Sequence, residues 1–130
     1  MSRIFLILGA LFAFLGVAAG AFGAHSLRDV VSSHYLNVFE TGVRYQMYHA
    51  IGLLLTGLML DRREDTYFRF AGWMFVTGIL LFSGSLYIIS LTGRSWVGAI
   101  TPFGGVSFLA GWFLLILGIF TSSKNKRSIL

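Results

Sequence analysis

A few short clusters hold the side chains of this 130-residue sequence that are able to do chemistry. His25, His34, Glu40 and Arg44 come first, followed directly by Tyr45, Gln46, Tyr48 and His49; Ser83, Ser85, Tyr87 and Thr101 lie further on. His49 as acid or base, with Arg44 or Tyr45 holding an anionic headgroup, would make a lipid-acting enzyme, provided the groups come within hydrogen-bond reach. Ser83 or Ser85 beside His49 would be a nucleophile and its base, yet neither serine lies in a GxSxG context. The three histidines and Glu40 are metal-ligand types, but no HExxH or His-x-His spacing is present. There is no glycine-rich phosphate loop and no cysteine, which removes thiolate sites, disulfides and a cysteine nucleophile. No catalytic residue, metal or cofactor is therefore assigned. The clusters read as a binding site or as structural glue between helices.

Composition says what must carry these residues. The chain is 56% hydrophobic and 12% charged, where a soluble domain has about 25% charged residues. A soluble chain this short buries too small a fraction of its surface to hide that much apolar area. The net charge is +5, but the basic residues lie between and beyond the apolar blocks. That placement suits orientation and lipid headgroup contact, not nucleic-acid binding.

Four apolar blocks predict an all-α integral membrane protein: four transmembrane helices in one compact bundle, spanning residues 1–130 as a single domain. The helices are expected at about 4–24, 43–60, 68–92 and 101–121. The first block also resembles a cleaved signal sequence. Its length, and small residues that begin inside it at Gly9 and Ala13, favour a retained helix. Gly16 and Gly20 form a small-xxx-small face on helix one, and Gly104, Gly111 and Gly118 recur every seventh residue on helix four. Between helices one and two, residues 27–41 alternate as an amphipathic helix, read as lying in the interface. Ser26 with Asp29 would cap it and Gly42 would stop it. The tail at 122–130 is basic and read as mobile.

With four spans, Arg3, Arg62, Arg63, Arg69, Lys124, Lys126 and Arg127 share one side, and Arg28, Arg44 and Arg94 the other. The positive-inside rule then makes both termini cytoplasmic. His25, Tyr45, Gln46, Tyr48, His49, Ser83, Ser85, Tyr87 and Thr101 all fall in the outer halves of their helices. An ionisable group at the depth of His49 is costly unless paired, and is a functional hypothesis by default. Glu40 and Arg44 would pair across one turn if the helix runs through Gly42.

The segments GAFGAHSL (20–27), YQMYHA (45–50), LFSGSLY (81–87), GAITPFGG (98–105) and FLAGW (108–112) resemble the signatures of one family, in order along nearly the whole chain. It is the family of small bacterial inner-membrane proteins catalogued as domain-of-unknown-function family 423, typified by YgdD and YwdK and similar to eukaryotic transmembrane protein 256. The resemblance implies a four-helix protein of the bacterial cytoplasmic membrane and brings no catalytic assignment. The combined expectation is a non-enzymatic protein whose outer-leaflet polar cluster binds a lipid headgroup, a small solute or a partner helix, with a second copy or another membrane protein as candidate partners. The alternatives are a small oligomeric transporter or channel, and a lipid-acting enzyme.

Overall fold

Side-chain caps at Ser32 and Asp65 and a left-handed glycine at Gly93 mark three of the helix ends. The computed structural model describes residues 1–127, and those residues form helices joined by short turns, with no strand among them. Helix α1 (Ser2–Phe22) runs into a π-helical turn (Gly23–Leu27). Ser32 caps α2 (Ser33–Arg62), its hydroxyl accepting from the Tyr35 amide at 3.3 Å. Asp65 caps α3 (Thr66–Gly78), accepting from the Tyr67 amide at 2.8 Å. A π-helical turn (Ile79–Ser83) joins α3 to α4 (Gly84–Thr92) without a break in the rod. Gly93, at φ +70°, ends α4 in the left-handed conformation that closes many helices. A 3-10 turn (Ser95–Ala99) leads to α5 (Thr101–Arg127), with Pro102 in its first turn.

Four expectations need correction. No separate interfacial helix occupies 27–41: one unbroken helix runs from Ser33 to Arg62. Gly42 does not stop it, because packing uses the bare backbone there. A Cβ on Gly42 would stand 3.0 Å from the Tyr87 ring, and the Gly42 carbonyl accepts the Ser83 hydroxyl at 2.7 Å. That packing outweighs the loss of about 1 kcal/mol for glycine inside a helix. Ser26 and Asp29 cap nothing, since 23–27 belongs to the turn that ends α1 and the cap is Ser32. The tail is helical as far as Arg127, an extension of α5; residues 128–130 lie outside the described residues.

Three helical rods are long and apolar enough to cross a membrane: Ser2–Leu27, Thr66–Thr92 and Ser95–Ser122. Helix α2 has the length but carries Arg44, Gln46 and His49 along it, and is not among them. Large apolar side chains point outward, Phe14, Phe103 and Leu109 each being about 70% exposed. Such a surface suits hydrocarbon as solvent.

The core is a stack of aromatic knobs on glycine. Along α5 the expected seam meets the α3 rod residue by residue. Gly118 faces Phe68, Gly111 faces Phe75 and Gly104 faces Phe82. The two sevenfold series run antiparallel; the rings of Phe68 and Phe75 seat where α5 has no side chain, and at Gly104 the backbone of Phe82 itself comes close. Helix α1 packs on α2 in the same way, with Gly9 against Leu54, Gly16 against Met47 and Gly20 against Val43. Phe5 and Phe75 are fully buried, Phe5 of α1 on Gly72 of α3, and Phe75 of α3 between Gly52 of α2 and Gly111 of α5.

Candidate functional site

The predicted polar residues occupy the half of the bundle away from the termini. Most are spent on ties between helices. Gln46, on α2, reaches two neighbours: its Nε2 donates to the Phe12 carbonyl of α1 at 2.8 Å, and its Oε1 accepts the Tyr87 hydroxyl of α4 at 2.7 Å. Ser83 donates to the Gly42 carbonyl, tying the π turn to α2. Ser85 and Thr101 pair at 2.6 Å between α4 and α5, and Ser107 donates to the Met74 carbonyl at 2.7 Å between α5 and α3. Among the described residues no buried side-chain nitrogen or oxygen lacks a partner. In hydrocarbon an unpaired polar group has no water to turn to, so these ties fix the helices' register.

His49 is buried and held from three sides. The Trp112 indole N–H donates to its Nε2 at 3.0 Å. An indole only donates, so Nε2 carries the lone pair and the proton sits on Nδ1, which donates to the Tyr45 carbonyl at 2.6 Å. The Phe108 ring lies flat on the imidazole, with centroids 3.5 Å apart and planes 7° from parallel. Both ring nitrogens of this neutral tautomer are occupied. Neither Ser83 nor Ser85 is bonded to it, so no nucleophile–base pair exists there. In a ¹⁵N spectrum His49 should show a protonated Nδ1 and a bare Nε2; the opposite tautomer would contradict the Trp112 bond. Trp112→Phe should leave Nε2 without a donor and cost about 1 kcal/mol in denaturant unfolding.

Trp112 and Phe108 are the site residues that sequence reasoning missed. The signal was present: they lie four apart on α5, hence on one helical face, in the motif FLAGW. With Tyr45, Tyr48, Phe82 and Leu109 they line a cleft of about 370 Å³ between α2 and α5, with His49 at its floor. Above this cleft Glu40 and Arg44 pair at 3.7 Å across one helical turn, both substantially exposed. Tyr48 is exposed one turn below Arg44 on the same face. His25 and His34 are exposed and join none of these ties. Among the described residues no three histidines or carboxylates converge where a metal could sit. In the other half of the bundle the Thr56 hydroxyl turns back onto the Gly52 carbonyl at 2.8 Å, a bond within its own helix.

Long apolar rods, aromatic-on-glycine packing and buried polar ties define a polytopic helical membrane protein. The chain belongs to the DUF423 family, proteins of unknown function, whose profile matches residues 19–105. It is 48% identical over 118 residues to the membrane protein SSP2132 of Staphylococcus saprophyticus, covering 91% of this chain and 98% of that protein. It is 47% identical over 116 residues to the membrane protein YwdK of Bacillus subtilis, covering 88% and 94%. The membrane protein SAB0533 of Staphylococcus aureus is 48% identical over 118 residues. All three are named as UPF0382 membrane proteins. No solved structure matches the chain.

Proposed function

We propose that this is a non-enzymatic protein of the bacterial cytoplasmic membrane that crosses the bilayer four times, keeps its termini in the cytoplasm and binds phospholipid at its outer-leaflet cleft. The observation that carries the reading is the division of labour among the polar side chains. Among the described residues those inside all have hydrogen-bond partners, whereas the exposed Arg44–Glu40 pair stands above an aromatic cleft open to the membrane. A zwitterionic headgroup complements such a pair, its phosphate on Arg44 and its amine on Glu40. The chains then lie along Tyr48, Leu109 and Trp112. With both nitrogens of His49 occupied, the cleft offers no free base for chemistry. Seven basic residues on the side of the termini, against Arg28, Arg44 and Arg94 on the other, support this orientation.

The chain has no cysteine, so single-cysteine variants report topology directly. Ser95→Cys should react with an impermeant maleimide on intact cells and Ser2→Cys only after lysis; labelling of both, or neither, from outside would reject four spans with cytoplasmic termini. A photoreactive phenylalanine analogue at position 48 should then yield adducts of phospholipid mass. Adducts of protein mass instead would replace lipid by a partner helix.

A further inference from the structure

A second groove lies between α2 and α5, in the half of the bundle that carries the termini. It has a volume of about 620 Å³, its walls are almost wholly apolar, and Arg62 stands at its mouth. We propose that this groove seats one acyl chain of an anionic phospholipid whose phosphate is held by Arg62. The groove meets the cleft above His49 at Trp112 alone, and the proposal does not depend on that reading.

Dimensions favour a chain from one leaflet. The walls run from Leu55 to Arg62 on α2 and from Trp112 to Ile119 on α5. The seven rises of such a stretch cover roughly 10 Å, about two-thirds of the ~15 Å depth of one leaflet's hydrocarbon. The apolar fit by itself selects no lipid, because bulk hydrocarbon solvates Leu58 and Ile116 as well as a bound chain does. Selection must come from charge at the mouth. Of the basic residues near this end, Arg63 is paired with Asp65 and Arg69 with Glu64 at 2.8 Å. Among the described residues Arg62 has no ion-pair partner. It sits in the last turn of α2, where the sequence also places Arg3, Lys124, Lys126 and Arg127 on the same side. A net anionic headgroup complements this end. A zwitterionic one gains less, since its amine would face the same cations.

The test is native mass spectrometry of the full chain released from micelles holding equal phosphatidylglycerol and phosphatidylethanolamine of identical chains. The wild type should retain phosphatidylglycerol about fivefold over phosphatidylethanolamine, the factor that about 1 kcal/mol per basic residue corresponds to. Arg62→Gln should remove the preference and Arg62→Lys should keep most of it. Leu58→Trp, which fills the groove from an exposed position, should lower retention of phosphatidylglycerol. Unfolding curves of the variants should match the wild type, since both side chains face outward. Equal retention of the two lipids by the wild type, or an unchanged preference in Arg62→Gln, overturns the phosphate contact. Unchanged retention in Leu58→Trp overturns the chain seat. A lipid-free dimer lost on Leu58→Trp would assign the groove to a second copy instead. None of these residues lines the cleft above His49, so loss of lipid there, read by the adduct at position 48, is scored independently.

Discussion

Gly104→Ala should destabilise the bundle by about 2 kcal/mol, while Gly105→Ala, one residue along, should be neutral or mildly stabilising. The two glycines share a helix and differ in what a methyl group meets. At Gly104 the added Cβ would lie 2.7 Å from Phe82 Cβ and 2.8 Å from Phe82 Cα. These atoms belong to the backbone of a neighbouring rod or are fixed to it, so no rotamer change relieves the contact and α5 itself must move. Overpacking of this kind costs about 1–3 kcal/mol, and it disrupts the seam that Gly111 and Gly118 continue. At Gly105 the nearest atom is Phe82 Cδ2 at 3.9 Å, ordinary contact, so helix propensity decides in alanine's favour by up to about 1 kcal/mol. Gly84→Ala is a second control, with nothing within 4 Å. The measurement is the unfolding midpoint in mixed micelles of rising dodecyl sulfate content. Equal shifts at 104 and 105 would refute the packing of α5 on Phe82.

The glycine seam was legible because spacing alone reports it. A sevenfold repeat of small residues on an apolar helix has few other uses. What sat opposite was not legible. Phe68, Phe75 and Phe82 repeat with the same period, but apolar rings saturate this sequence and no local signal separates ring in seam from ring in lipid. Depth was legible for the same reason as the seam: a helix advances a fixed distance per residue, so Gln46, His49, Ser83 and Thr101 could be brought to one level from their distances to the block ends. Azimuth was less so. It decides that Gln46 turns to α1 and α4 while His49 turns to α5. The π turn at Ile79–Ser83 shifts the facing of every later residue on that rod, and nothing in ILLFS announces it. Gly42 was misread because a helix stop and a close-packing notch call for the same residue. The contact that tells them apart, with Tyr87 and Ser83, is about forty positions away in sequence.

Gln46→Leu should produce the largest loss among the polar ties, about 2 kcal/mol, and Tyr87→Phe should recover part of that loss. Among the described residues Gln46 is the one side chain that joins three helices, bridging the Phe12 carbonyl on α1 and the Tyr87 hydroxyl on α4. Leucine keeps most of the volume, so the loss is polar. The Phe12 carbonyl lies within a helix and keeps its ladder bond, and so loses little. The Tyr87 hydroxyl is half-buried in a groove lined by Leu15, Ile79 and Leu80, and has no other partner within reach. Stranding it costs about 1–3 kcal/mol, whereas removing both partners of a buried bond is close to neutral. The double variant Gln46→Leu with Tyr87→Phe should therefore unfold at higher denaturant than Gln46→Leu alone. Tyr87→Phe by itself should cost less than Gln46→Leu, because the Gln46 amide keeps Phe12. Membrane hydrogen bonds measured by such cycles average about 0.6 kcal/mol and reach about 1.7. A coupling near the upper figure would mark Gln46 as the residue that holds the α1–α2 pair onto the α3–α4 rod. A coupling of zero would leave that task to Phe5 and the glycine contacts alone.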